Sequence, residues 1–288
     1  MFLQFPFDGP EVLPERSLEV DLRILYSNSL LSARNEAFTL FVHVETAQPT
    51  VRLRYGLARA LEAEVDLPFF LDYGGFLDGP IAVVEGAFGA ENPQRKGLRR
   101  NVATFEFTRA NGTGIVRNGG DFGLGDAWAG FKVELPRAFA GAHLAFRSAI
   151  KFPTGRLPFG SEVFDFGVGF LGGWTWPRTA FRFEIDACVP SASLPAVRVP
   201  TGPYGALNFG LTQMLGRTVG LQLQASGHLS PLADTGLAEL DDGQAYLLAG
   251  TSIALSRSAW LEAGVVENVL NPYRGADITF LLGLKHGP

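Results

Sequence analysis

Two arginines and three carboxylates alternate with apolar residues in the stretch VRLRYGLARALEAEVDLPF: Arg52 and Arg54, then Glu62, Glu64 and Asp66. If Ala58, Arg59 and Ala60 form a turn, Arg54 lies across from Glu64 and Arg52 across from Asp66. Leu53, Tyr55, Ala63 and Val65 then share the opposite face. The chemistry of such a ladder is charge pairing and solute selection, not bond making. The same phase continues along the chain in Asp126, Lys132, Glu134, Arg147, Lys151, Arg182, Glu184 and Asp186. With Glu19, Asp21, Arg23, Asp165, Glu262, Asp277 and Lys285 the shared face holds twelve acids and eight bases, so it leans acidic. Two uses are open: an ion-pair network filling an interior, or a polar pore that favours cations.

Bond-making chemistry finds little support. His43, His143, His228 and His286 fall on different segments, and no Gly-x-Ser-x-Gly stretch or metal-ligand spacing accompanies them. The glycine-rich run 119–125 lacks the Lys-Ser/Thr of a phosphate loop. Cys188, the single cysteine, reads as a small buried residue. The expectation is a protein that is not an enzyme and needs no metal or cofactor; the alternative is an outer-membrane lipase that assembles Ser, His and an acid or amide from separate strands. Net charge is −5, which suggests no nucleic-acid partner.

The elements that must carry these charges are strands. Period-two alternation marks residues 17–26, 38–58, 61–71, 123–135, 142–152, 164–176, 181–189, 205–215, 219–229, 244–255, 259–268 and 276–286. Most run ten residues or more, against roughly 5 or 6 for soluble strands and about 9 to 11 for a tilted strand crossing a bilayer. Charged residues make up 18% of the chain, below the roughly 25% of soluble domains. Connections alternate short and long, as in outer-membrane barrels. The reading is therefore all-β: a transmembrane antiparallel up-and-down β-barrel forming a single domain over 1–288. It has twelve strands, or fourteen if 38–46 and 101–109 span separately. The charges then face the lumen and the apolar phase meets lipid.

The opening MFLQFPFDGPEVLP lacks a basic start and an unbroken apolar stretch, so it does not read as a signal peptide. A mature form with an added Met1 is expected, with residues 1–16 as a periplasmic segment. Each of the five short turns holds an arginine: Arg59, Arg137, Arg178, Arg217 and Arg257. They are either simply solvated or a ring touching lipid phosphates.

The connection 72–121 is too long to be a mere link. Asp78-Gly79-Pro80 followed by Ile81, Val84, Glu85 and Phe88 predicts a short helix in a long extracellular loop. Residues 101–117 predict a hairpin above the membrane. The loop is expected to fold into the mouth as a plug. Arg95, Lys96, Arg99 and Arg100 could gate anions or dock lipopolysaccharide phosphates.

GGFLDGP (74–80), GLGDAWAGFK (123–132) and LAFRSAIKFPTG (144–155) carry a resemblance. In their order the chain resembles a porin-like family of Gram-negative outer-membrane β-barrel proteins catalogued only as a domain of unknown function. The likeness extends over most of 17–286 and implies fold and outer-membrane location, but no activity. One departure is the end, Lys285-His286-Gly287-Pro288, where many such barrels close on an aromatic residue.

Three function classes stand. The first is a channel or passive transporter for small solutes with a charged lumen. The second is a transporter of apolar compounds. The third is a structural barrel without an open pore, whose loops bind a protein partner. Membrane lipids are expected partners in all three.

Overall fold

The computed structural model describes residues 2–4, 6–88, 92–136, 141–232, 234–270 and 276–288. Its strands are β1 (Leu18–Arg34), β2 (Phe38–Ala58), β3 (Leu61–Tyr73), β4 (Thr104–Arg109), β5 (Gly114–Asn118), β6 (Asp121–Leu124), β7 (Trp128–Glu134), β8 (His143–Lys151), β9 (Asp165–Thr175), β10 (Thr179–Pro190), β11 (Tyr204–Met214), β12 (Val219–His228), β13 (Gln244–Ala254), β14 (Ala259–Asn268) and β15 (Ala276–His286). Two helices are described, α1 (Asp78–Phe88) and α2 (Ala238–Asp241).

The sheet closes on itself. β1 pairs with β2 on one side and with β15 on the other, and the intervening strands pair in sequence through β3 and β7. The wall is a twelve-stranded antiparallel barrel. Closure leaves no unpaired edge, the condition for crossing lipid on strands. The fourteen-strand alternative fails because β4 pairs only with Phe38–His43, the far extension of β2, and β5 continues outward from it. That pair is the hairpin predicted near 101–117. The expected loop 27–37 is instead largely strand: β1 and β2 stay paired as far as Arg34 and Thr39.

Lateral exposure divides the two phases. Leu53, Tyr55, Phe131, Phe166, Phe209, Leu223 and Leu282 are exposed on the outer surface, while Arg54, Glu62, Lys132, Arg147 and Glu184 are buried within. An aqueous exterior would reverse this pattern, since charged residues are almost never the most buried class. Lipid outside and charge inside is the arrangement that fits. Tyr55, Trp174 and Trp176 sit near the turn end. Tyr26, Tyr73 and Phe76 cluster near the loop end, with ring centroids 6.1 Å from Tyr26 to each of the others. Aromatic girdles of this kind mark the two membrane interfaces.

The loop end is roofed. Phe38, Leu40, Val42 and Val44 of β2 and Phe107 of β4 bury against Leu194, Val197, Val199, Leu232 and Leu237. These last five come from connections 191–203 and 229–243, which leave the wall on the far side of the ring and so must cross the mouth. Arg109 clamps the crossing, donating to the carbonyls of Val197 and Arg198 at 2.7 Å each.

Candidate functional site: the lumen and its N-terminal strap

Of the segment 1–16, expected in the periplasm, residues 2–4 and 6–14 run through the lumen instead. The strap enters at the turn end, where Arg16 N–H donates to Gly56 O and Leu13 N–H to Glu62 Oε2, both at 2.8 Å. Midway, Lys132 Nζ donates to Asp8 Oδ2 at 2.8 Å and to Gly9 O at 3.1 Å. Higher, Arg147 donates to Pro6 O at 3.2 Å. Near the roof Leu3 N–H donates to Asp165 Oδ2 at 2.7 Å, and Tyr204 Oη to Leu3 O at 2.6 Å. Phe2 packs against the roof core. The physical reason is satisfaction: an extended segment brings unpaired backbone groups, and the charged wall supplies donors and acceptors for them. The cue was available in the density of Phe2, Leu3, Phe5 and Phe7, excessive for a solvated tail.

Asp8 is the centre of this seat. Besides Lys132 it faces Arg52 Nη2 at 3.3 Å and Arg54 Nη2 at 3.4 Å. The predicted hairpin register is present, with Arg54 paired to Glu64 and Arg52 to Asp66 along the backbone, but the turn is only Arg59 and Ala60, because a bulge after Gly56 lets Ala58 pair with Leu61. Between β2 and β3 the ion pairs themselves run diagonally, while Arg54 also meets Glu19, directly opposite it on β1. Arg54 binds Glu62 at 2.7 Å and Glu19 at 2.7 Å, and Arg52 binds Glu64 at 2.6 Å. Long side chains lean along the strand and reach the diagonal partner. Asp8, Glu62 and Glu64 carry oxygens within 4.8 Å of one another, and Lys132, Arg52 and Arg54 neutralise them.

Replacing Asp8 with asparagine leaves these three cations facing a neutral amide. Charged hydrogen bonds contribute about 1.5–3 kcal/mol each. The expected result of Asp8→Asn is a strap that loosens while the barrel stays folded. Hydrogen exchange would read this as faster exchange at residues 6–13 and unchanged exchange in β8 to β13.

Further up the wall Arg147 contacts Glu184 directly, with Asp186 at 3.8 Å and Glu64 at 3.9 Å. Lys151 binds Asp126 at 2.6 Å and lies 3.4 Å from Asp165. Asp126 also accepts from Gly155 N–H at 2.9 Å and Ser161 N–H at 2.7 Å. Thr154 Oγ1 accepts from Ala127 N–H and donates to Gly125 O, each at 2.8 Å. The GLGDAW and KFPTG stretches, far apart in sequence, are thus two halves of one lock. Asp66 is buried, whereas Arg182 and Glu134 are half-buried, facing Glu11 at 3.7 Å and His143 at 3.2 Å respectively. The side chain of Asp277 and all of Arg137 lie outside the described residues. Arg59, Arg178, Arg217 and Arg257 are exposed at the turn end.

The charge is uneven around the ring. β1 to β3 and β7 to β10 hold most of it, while β11 to β13 present Asn208, Thr212, Gln222, Gln224, Ser226 and Tyr246. The strap is bonded to the charged side and touches the neutral wall where Phe7 lies over Gly210. Beside it is a cavity of about 450 Å³, lined by Thr212, Gln222, Gln224, Ser226 and Tyr246 and flanked by Asp21, Arg23, Arg182, Glu262 and Lys285. A second cavity of about 300 Å³, lined by Phe70, Trp128 and Phe159 among others, lies on its other flank.

The loop 72–121 divides: its β4 joins the roof through Phe107 and Arg109, but its helical part does not enter the mouth. Asn28, His43 and Glu45 belong to the outward phase of β1 and β2, and residues 74–88 and 92–101 fold over them from outside. Asp78 is the buried pivot: it bonds His43 Nε2 at 3.0 Å, Asn28 Nδ2 at 3.2 Å, Arg95 Nη1 at 2.5 Å and Asn101 N–H at 2.8 Å. Glu45 accepts from Leu77 N–H at 2.5 Å and from Tyr26 Oη. Ile81 is half-buried, Val84 is exposed, and the side chain of Phe88 lies outside the described residues. Lys96, Arg99 and Arg100 are exposed. Sequence phase placed the helix correctly but could not tell which side of the wall it would cover.

Burial alone would raise the Asp78 carboxyl, but the Asn101 amide, the imidazole of His43 and the Asn28 amide hold it below the usual range. A lowered folded value stabilises docking above the unfolded carboxylate pKa of about 3.9, and the gain is lost as pH falls through the folded value. Hydrogen exchange in α1 is expected to show constant protection from neutral pH to about pH 4, then a loss below it.

These features define a transmembrane β-barrel of the outer-membrane type with an occupied lumen. No protein-family model matches the chain, and no curated protein matches it in sequence. Among solved structures it is similar to an outer membrane channel from Pseudomonas putida F1, at TM-score 0.65 and 11% identity over 99% of this chain and 100% of that one. It is also similar to the NanC porin, at TM-score 0.54 and 8% identity over 93% and 98%. At these identities the likeness is one of fold.

Proposed function

We propose that the protein is a channel for small polar solutes in the outer membrane of a Gram-negative bacterium, held closed here by its N-terminal strap. The observation that carries this is the 450 Å³ cavity beside the strap, lined by both neutral polar and charged side chains. An interior meant only as structure would be packed to crystal-like density. By barrel convention the short turns face the periplasm and the roof faces outward. Asp8 and Glu11 add to an acid-rich lumen, which favours cations over anions. No step calls for catalysis, so the reading is a transporter and not an enzyme.

The test is solute entry into proteoliposomes. Swelling with small neutral or cationic solutes, and less with anions of equal size, supports the reading. Failure of every solute, with the strap present or deleted, would sink it. A second reading, transport of apolar compounds, draws on Phe2, Leu3, Phe70, Trp128 and Phe159 around the smaller cavity. It predicts uptake of aromatic compounds where sugars fail.

A further inference from the structure

The outer side of α1 is the least expected surface of the molecule. A helix docked on a wall by a buried polar cluster ordinarily turns its apolar side inward. Here the docking side holds Asp78 and Glu85, the latter 3.7 Å from Arg95. The free side presents Val83, 73% exposed, and Val84, 56% exposed, with Phe76 beside them at 62%. Phe76 stacks on Tyr26 of the wall. Ile24, Leu71 and Phe122 on the neighbouring strands are exposed on the lipid-facing side as well.

Height decides what covers it. Leu61 to Leu71 on β3 spans ten residues, and at about 3.3 Å per residue with a tilt near 40° that is roughly 25 Å. The apolar band of such barrels is about 25 Å tall. Tyr73, Phe76 and α1 therefore lie at its upper edge, where acyl chains give way to headgroups. Lys96, Arg99 and Arg100 follow in the same docked segment and are exposed. The segment is held at both ends, by Asp78 to Asn101 N–H and by the close approach of Gly74 to the Asn101 carbonyl.

We infer that α1 and residues 95–100 form a docking platform for a phosphate-bearing, acylated lipid of the outer leaflet, of the lipopolysaccharide type. Val83, Val84 and Phe76 take the acyl side, and Lys96, Arg99 and Arg100 the phosphates. The inference rests on the outer-membrane orientation proposed above. It does not depend on whether the lumen conducts.

The experiment is native mass spectrometry and lipopolysaccharide quantitation on full-length protein extracted from outer membranes. Wild type is compared with Lys96→Ala/Arg99→Ala/Arg100→Ala and with Val83→Ser/Val84→Ser. Each basic residue near an anionic surface contributes about fivefold in affinity. The triple variant is expected to retain at least about tenfold less lipopolysaccharide, and the serine variant to lose it partly. All three should reach the outer membrane and keep the heat-modifiable migration of a folded barrel. Equal retention in wild type and both variants overturns the platform while leaving the channel reading intact. Inorganic phosphate displacing the bound lipid completely would overturn the acyl part. A wild type that oligomerises through this face, shown by loss of cross-links in the serine variant, would overturn it in favour of a second copy. Absence of wild type from the outer-membrane fraction would overturn both the platform and the orientation beneath it.

Discussion

Deleting residues 2–12 is expected to turn a nearly silent barrel into a conducting one. In planar bilayers the wild type should give only brief, small openings. The deletion should give steady current at least an order of magnitude larger, with reversal potentials showing cation preference. The reasoning is geometric. The strap occupies the lumen from the turn end to the roof, and its backbone is bonded to Glu62, Lys132, Arg147, Asp165 and Tyr204 on several strands. Its removal joins the two flanking cavities into one bore. Arg52, Arg54 and Lys132 lose Asp8 but keep Glu64, Glu62 and Glu19, and water entering the bore solvates what remains. The wall should therefore persist. Current that stays absent after deletion would count against the channel reading and against the strap as its closing element.

Arg147→Met is expected to be the most destabilising single change in the wall. Arg147 is 1% exposed and stands among Glu184, Asp186 and Glu64, so its loss leaves three carboxylates close together without their shared cation. Breaking a buried ion pair from one side costs about 3–5 kcal/mol. Urea unfolding in detergent, followed by gel mobility of the folded barrel, should show the midpoint fall by the equivalent of about 3 kcal/mol. Arg147→Met with Glu184→Gln should recover part of that loss. No recovery would mean that Arg147 acts by filling space, not by charge.

Much of the wall was legible because a strand exposes its two faces at a fixed period of two. Leu53 and Arg54 differ in face whatever surrounds them, so phase alone separated lipid from lumen. Register followed from one short turn. The site was legible as a set of residues but not as a set of bonds, since across β3 Arg54 reaches Glu62 and not Glu64, the residue directly opposite. Two placements were not legible. Residues 2–14 have no periodic structure, and only the closed ring creates the interior that takes them in. Helix α1 has a clear start at Asp78, yet its side of the wall depends on two outward-phase residues of β2: Glu45, at the end of its pairing with β3, and His43, beyond it.

One contact of the strap has a mechanical side. Gly210 of β11 has no side chain where the ring of Phe7 lies, and any Cβ there would strike it. Phe7 therefore bears on one wall while its neighbour Asp8 is tied to β2 and β7 on nearly the opposite side of the ring. Adjacent residues thus form a strut across the cross-section. A strut resists ovalisation, so the strapped barrel should be rounder and stiffer under lateral pressure than the emptied one. Release of the strap and softening of the barrel then become a single event, and the membrane's lateral tension gains leverage over the strap.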